Sequence, residues 1–460
     1  MEPRATHIDR ITDVLQVNTS DVGGGAEMVA LELHRRFRSA GITATLAVGW
    51  KTSSEPGVVA IRHEPYRSPW ARIIRPGRRP GILGTLWRAA ASPGRYTARV
   101  IGREDFGFPA TSHVDELAPR KPQLLHLHNL HGGYFDIRAL PGLTRRYPTV
   151  YSPHDPWLLT GHCAHPITCD RWRTGCGACP DLDRYVPIAR DASRMNWSIK
   201  RAALADSRIY LCSPSRWMMD LFLASDLEGS FIETRIIPNG VDATIFSPAD
   251  MHAARARLGL PNVDTVIVTS ARSTTANDFK GADVLSMALE LASAELAKRG
   301  HSGAPTRVMT LGDTAPRRVI GNFSIESVPH TADRSRISDY LRAADLYVHP
   351  SRAENYPLTV LEALACGTPV IASDAGGTPE VVAGNEGAAT FPSGDAPALA
   401  GLLVTLLHDR HCLLDLASRA RAAAPHCYTL DQQAQAYMEW YASIIDEHSD
   451  RLAVRDLRDT

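Results

Sequence analysis

Lysine is nearly missing from this sequence, with 5 residues against 45 arginines in 460. The 50 basic residues equal the 50 Asp and Glu, so there is no formal net charge, and bulk charge does not point to nucleic acid. The arginine skew fits GC-rich coding and carries little mechanistic weight. Long hydrophobic runs are also missing. No stretch nears the roughly 18 consecutive apolar residues of a membrane span, and residues 1–10 have no apolar leader core. A cytoplasmic protein is expected. Eight cysteines are too few for a disulfide scaffold. What is present, 44% hydrophobic and 22% charged residues, describes an ordinary globular chain. Its length suits two or three domains of about 150 residues each.

Residues 12–18 read as a strand, and a glycine turn follows at 23–25. Met28, Leu31, Leu33 and Phe37 then recur at roughly helical spacing over 26–39, until Gly41 stops the helix. A second strand over 43–48 completes a β-α-β unit with phosphate-binding potential at its turn. Strand-like runs recur at 124–128, 149–152 and 208–213. After a linker at 246–250 the pattern restarts with a strand at 265–270 and a helix at 282–298. Strands at 307–311 and 345–349, a helix at 358–365, a strand at 369–373 and a helical tail from 397 follow. Two rounds of alternation predict an α/β chain of two Rossmann-like, doubly wound domains facing each other across a cleft. The ligand then belongs at the carboxyl ends of both sheets. The expected domains are 1–242 and 243–427, with 428–460 a helical tail packing back on the first.

Three motifs carry chemistry. Gly23-Gly24-Gly25 leaves backbone N–H groups open to an anion, but Met28 stands where a dinucleotide fingerprint needs its third glycine. With no acid after the second strand and no Walker A sequence, a nicotinamide or flavin cofactor is disfavoured. Arg272 and Lys280 flank the carboxyl end of a strand, where two cations can neutralise a pyrophosphate. Glu354 and Glu362 lie eight residues apart around a helix start, about 12 Å by helical rise. That is too far for a glycosidase pair at ~5–9.5 Å, and it suits two anchors on a long ligand. Each motif alone also fits a plain reading: a tight turn, two surface cations, two solvated glutamates. His126, His128 and His131 follow one strand, and His-x-His on one face could take a metal. Acceptor or sugar contact is preferred for His128 and His131, and a structural role for His126. No Asp-x-Asp stands where a divalent cation would bind a diphosphate, so no catalytic metal is expected.

Taken together, these pieces resemble the retaining GT-B glycosyltransferases of family 4. The matching residues are Gly24-Gly25-Ala26-Glu27, the run 237–242, Arg272 with Lys280-Gly281, and Glu354 with Glu362 and the segment 362–370. The runs 127–135, 152–157, 161–163 and 175–180 are similar to a bacterial subgroup of exopolysaccharide, capsule and lipopolysaccharide assembly. The resemblance implies a UDP- or GDP-sugar donor and a glycan or lipid-linked acceptor. By it, Lys280 and Arg272 hold the pyrophosphate, Glu362 the ribose and Glu354 the sugar hydroxyls. Asn355 and Tyr356 offer backbone N–H groups, and Gly24 and Gly25 approach the phosphate. His154 lies beside the sugar, giving a hydrogen bond or its carbonyl. Retention without a nucleophile implies front-face attack, with the departing phosphate oxygen taking the acceptor proton. Ala271 and Asn355 depart from the family's usual residues. Two other readings stay open. A GT-B epimerase or phosphorylase would need additional acids or a pyridoxal-binding lysine. A silent binding scaffold would not need Lys280, Glu354 and Glu362.

Two segments fall outside this scheme. Residues 65–103 carry nine Arg and no Asp or Glu, with Trp70 and Trp87 interleaved. They read equally as a contact with anionic membrane on its inner face or as a solvated insertion. In the loop 161–180, Cys163, Cys169, Cys176 and Cys179 are separated by five, six and two residues. Such clustering reads as a closed structural zinc site, with His162 or His165 able to replace one ligand. An iron–sulfur cluster, buried thiols or two disulfides are the alternatives.

Overall fold

The computed structural model describes residues 10–63, 65, 93–225, 227–270, 278–300 and 306–459. Arg272 and most of the basic segment lie outside the described residues. Two compact units divide the chain: residues up to Ile237 together with Ala434 onward, and Pro238–Gln433. The sequence reading cuts instead after residues 242 and 427.

The first unit is built on seven parallel strands: β1 (Asp13–Ser20), β2 (Thr43–Trp50), β3 (Val58–Ala60), β4 (Leu124–Leu127), β5 (Thr149–Tyr151), β6 (Ile209–Ser213) and β7 (Phe231–Ile236). Their order is β3-β2-β1-β4-β5-β6-β7. The second unit holds β8 (Val266–Thr269), β9 (Thr306–Leu311), β10 (Arg318–Ile320), β11 (Phe323–Val328), β12 (Leu346–His349), β13 (Val370–Ser373) and β14 (Ala388–Phe391). Here the order is β10-β11-β9-β8-β12-β13-β14, and only the β10–β11 pair is antiparallel. Each order reverses beside its first strand, between β1 and β4 and between β8 and β12. Such switch points open a crevice at the carboxyl ends, where ligands bind in doubly wound sheets. The glycine turn follows β1, His128 and His131 follow β4, Lys280 stands just before the helix after β8, and Glu354 and Glu362 follow β12, whereas His154 comes after β5 and the run 237–242 after β7.

The strands at the switch points are buried on both faces, as central parallel strands are. β4 nonetheless carries His126 in register with Gln16 of β1, both fully buried. The expected tail from 397 is three helices, Ala396–His408, Arg410–Ala423 and Leu430–Asp459. The third crosses between units, and Tyr437, Trp440 and Tyr441 are core residues. Tyr441 packs edge-on against Phe37 at 5.5 Å and its hydroxyl meets His126 Nδ1 at 2.6 Å. In the second unit, the two segments next to the crossings bind each other. Val241 N–H donates to Tyr428 O at 2.9 Å, and Leu430 N–H to Val241 O at 2.9 Å. A Cβ on Gly240 would stand 2.3 Å from the Thr429 backbone, so only glycine fits at position 240 of the run 237–242.

Candidate active site

In the second unit, β12 leads into a loop that is strapped to the start of helix Ala282–Lys298. Ser351 Oγ and Arg352 N–H both donate to Phe279 O, at 2.6 and 2.7 Å. The Arg352 guanidinium also grips Asp283, at 2.6 and 2.5 Å. Gly281 has φ +66°, and a Cβ there would stand 2.0 Å from Pro350 O. The Lys-Gly pair is therefore a packing requirement as well as a chemical one. These straps bring Lys280 Nζ to 2.6 Å from Glu354 Oε1. His349 Nε2 lies 3.2 Å from the same oxygen. Burial opposes ionisation of Glu354, but the Lys280 ammonium and the His349 ring hold its carboxyl well below the usual carboxylate range.

Glu362 lies on helix Leu358–Ala365 and is buried against Arg334, whose Nη2 donates to its Oε1 at 2.8 Å. Burial pushes its carboxyl up to about 7, against the pull of Arg334. The two glutamates thus differ: Glu354 is a firm anion, whereas Glu362 is near its midpoint at neutral pH. Asn355 is buried and Tyr356 half-buried, with its phenol pushed up to about 12 by burial. His349 and Arg334 escaped the sequence reading. His349 could have been found as the last residue of its strand. Arg334 carried no local signal, being 28 residues from its partner.

In the first unit, Gly24 caps helix Gly25–Ser39, and its N–H donates to Glu27 Oε2 at 2.9 Å. The expected open N–H at Gly24 is therefore corrected. Glu27 closes it as one half of a capping box.

The histidines form one buried network. His128 is fully buried, with Nδ1 3.1 Å from His154 Nε2 and Nε2 3.2 Å from the Gln16 amide nitrogen. Direct acceptor contact by His128 is thereby overturned, since both ring nitrogens are already engaged inside the unit. His131 Nε2 meets Asp155 Oδ2 at 2.7 Å, and the Asp155 carboxylate outweighs burial to raise the His131 ring. Asp155 also caps the turn Pro156–Leu159 through Trp157 N–H. His126 is held at both nitrogens by Tyr441 and Ser152, in keeping with its structural reading.

Burial pushes His154 down to about 4 and His126 down to about 3, from an ordinary 6.5. A depressed histidine contributes stability that is complete above about 6.5 and disappears as pH falls through its folded value. Chemical denaturation should therefore give a lower midpoint at pH 4.5 than at pH 6.5. The expected slope is about 1.4 kcal/mol per pH unit for each histidine, and a His154→Gln variant should lose one histidine's share. An unchanged slope in that variant would contradict a neutral His154.

The four clustered cysteines are all half-buried and unpaired by disulfides. Together with His162 they line one cavity of about 20 Å³. His162 Nε2 is 3.2 Å from Cys179 Sγ, whereas His165 Nδ1 is occupied by Ile167 N–H and its ring stacks on Trp217. The expected alternative ligand His165 is thus turned to structural work, and His162 is the one beside the thiols. Among the described residues no three such groups already stand at metal-ligand spacing. Burial pushes the Cys163 and Cys176 thiols up to about 11.

Comparisons with known proteins agree with this architecture. Residues 23–245 match the model "Glycosyltransferase Family 4", and residues 264–409 match "Glycosyl transferases group 1". The chain is 26% identical over 456 residues to WcaC of Escherichia coli strain K12, assigned as a colanic acid biosynthesis glycosyl transferase; the match covers 94% of this chain and all of WcaC. It is 25% identical over 422 residues to D-inositol 3-phosphate glycosyltransferase 1 of Catenulispora acidiphila, covering 88% of each. Among solved structures, sucrose-phosphate synthase from Thermosynechococcus elongatus superposes with TM-score 0.63 at 18% identity, over 95% of this chain and all of that one. Anabaena HepE in complex with UDP and glucose superposes with TM-score 0.60 at 18% identity, over 94% of this chain and all of that one. With a glycosyltransferase model on each compact unit and the fold held in common, the chain belongs to glycosyltransferase family 4 and is a GT-B glycosyltransferase.

Proposed function

We propose that this enzyme moves a sugar, with retention, from a UDP- or GDP-sugar to a glycan or lipid-linked acceptor in cell-surface polysaccharide synthesis. The Lys280–Glu354 pair at the β8–β12 switch point is the observation that carries this reading. A fixed anion and a fixed cation 2.6 Å apart suit a donor with hydroxyls on one side and a diphosphate on the other. Glu354 accepts from the sugar hydroxyls, and Lys280 turns its ammonium to the diphosphate as the sugar bond breaks. Arg272 adds the second cation, so the diphosphate is assigned no metal. Glu362 takes the ribose. Asn355 and Tyr356 lend backbone N–H groups, and Gly25 approaches the phosphate. His154 stands beside the sugar, and His131 faces the acceptor side. The departing phosphate oxygen takes the acceptor's proton as the acceptor attacks the same face. WcaC's assigned pathway and the UDP and UDP-glucose bound to HepE support the polysaccharide role and the donor class. Mass spectrometry of products from a panel of UDP- and GDP-sugars with lipid-linked acceptors tests it, and the anomeric coupling of the product tests retention. Binding without transfer in every pairing would leave only a scaffold. Hydrolysis or epimerisation of the donor alone would point to a different GT-B enzyme.

No described helix is long and apolar enough to cross a membrane. For the basic segment 65–103 we propose a peripheral contact with anionic lipid. In the described end of the segment, helix Pro93–Val100 leaves Tyr96 and Val100 exposed and the turn after it leaves Ile101 exposed, while Arg95 is paired with Asp105. Co-sedimentation with anionic vesicles at low and physiological salt tests this, and absence of binding at both rejects it.

We also propose that Cys163, Cys169, Cys176 and Cys179 hold a structural zinc, with His162 beside them. A cavity of about 20 Å³ has room for one ion or one water. The raised thiols must release protons on ligation, so affinity should drop steeply as pH is lowered. Elemental analysis of protein purified without added metal should give near one equivalent of zinc, lost in Cys176→Ser/Cys179→Ser. Metal-free protein with four readily titrated thiols would reject the site.

A further inference from the structure

Gln16 is a fully buried amide in the middle of β1, flanked by Leu15 and Val17. Its Nε2 lies 3.3 Å from Ala30 O and 3.2 Å from His128 Nε2. Chemistry decides which way this amide faces. Turned over, its oxygen would meet the Ala30 carbonyl oxygen, and two acceptors repel. An amide nitrogen donates and cannot accept, so His128 Nε2 is the acceptor. Burial keeps the His128 ring neutral, and its single proton therefore sits on Nδ1. That Nδ1 lies 3.1 Å from His154 Nε2, which must accept in turn. The proton of neutral His154 is then on its own Nδ1. This nitrogen takes no partner among the described residues, and the ring is only half-buried. His126 backs the relay. Its ring packs on His128 with centroids 4.0 Å apart, and Tyr441 and Ser152 occupy both its nitrogens, so it does not compete for His128.

We propose that Gln16 and His128 form a one-way hydrogen-bond relay that fixes His154 as an Nδ1–H donor to an oxygen of the bound sugar nucleotide. Gln16 and His128 are positioning residues, and only His154 touches ligand. The direction rests on the reading that His154 stands beside the donor sugar. It adds a selection rule: the ligand atom at this point offers a lone pair, as a hydroxyl, ring or phosphate oxygen does. A histidine of the opposite tautomer would instead present a lone pair and require a ligand hydrogen.

The test uses the full-length enzyme labelled with ¹⁵N-histidine. Two-bond nitrogen–proton correlations report which nitrogen of each neutral ring is protonated, and His154→Asn and His128→Asn assign the signals. Both rings should be Nδ1–H tautomers. Gln16→Glu replaces the donor by an acceptor and should convert both toward Nε2–H. It should also lower kcat/KM roughly 2- to 12-fold, the worth of one neutral hydrogen bond. Gln16→Met, of similar size, should leave mixed tautomers and a smaller loss, and keeps the test open if the glutamate variant does not fold. An Nε2–H His154 in the unsubstituted enzyme overturns the relay whatever the activities are. Tautomers as expected, but with kcat/KM unchanged in Gln16→Glu, would uphold the relay and overturn the assignment of His154 to the donor sugar.

Discussion

Lys280→Ala should lower turnover about 10²–10³-fold, the usual effect of deleting one preorganised group that meets developing charge. The lysine is fixed before any ligand arrives, by the Gly281 turn and the Phe279 straps to the β12 loop. Little reorganisation is then needed as the diphosphate departs. Folding stability should fall moderately as well: Lys280 is 42% exposed, but its partner Glu354 is only 12% exposed and loses the cation that offsets its burial. The substitution has a second effect on its neighbour. Without the ammonium, burial raises the Glu354 carboxyl, and the hold on sugar hydroxyls proposed for its anion should weaken. Steady-state kinetics beside a thermal melt separates the two properties. A variant that melts like the parent and transfers at full rate would remove Lys280 from the diphosphate.

Lys200→Met is expected to cost about 3–5 kcal/mol of stability, because it strands a buried carboxylate. Lys200 is fully buried on helix Ser193–Ala205, and its Nζ lies 2.6 Å from Glu104 Oε1. The ammonium also donates to Trp157 O and Thr160 O, at 3.1 and 3.2 Å, and sits 3.7 Å from the Trp157 ring centre. Trp157 Nε1–H donates to Glu104 in turn, at 2.9 Å. Burial works against both charges, pushing the carboxyl up and the ammonium down, and each offsets the other. The double variant Lys200→Met/Glu104→Gln should recover much of the loss, since an amide oxygen still accepts from Trp157 and no charge is left alone. Denaturant midpoints across the cycle give the coupling. Strictly additive losses would mean that the two side chains do not act as a pair. The pair also clamps the turn that follows His154, so activity should fall in the single variant and return with stability in the double.

The two rounds of strand and helix were legible because the central strands are short, largely apolar runs, interrupted only at positions such as Gln16 and His126, and the long helices repeat at helical spacing. Helix Ala282–Lys298 is the expected 282–298, and helix Leu358–Ala365 the expected 358–365. Among the strands that escaped, β11 is six residues long and lies inside its sheet, but Ser324, Glu326 and Ser327 break its apolar run; others are short or at a sheet edge. β3 and β10 have three residues each, and β7 is half exposed, so their hydrophobic signal is weak. The glycine of Lys280-Gly281 was legible as a motif, but its reason, a left-handed turn against Pro350 O, belongs to the fold.

The sequence by itself determined the α/β class and the family resemblance, and it singled out Lys280, Glu354, Glu362 and His154 as candidates. Each of these rests on a local run of residues. Only the tertiary structure decided what those residues meet. Arg334 reaches Glu362 across 28 positions, Lys280 reaches Glu354 across 74, Gln16 reaches His128 across 112 and Tyr441 reaches His126 across 315. Protonation follows from such partners and from burial. Two glutamates that look alike in sequence therefore become a firm anion and a carboxyl near its midpoint, and a histidine expected at the acceptor becomes an interior relay.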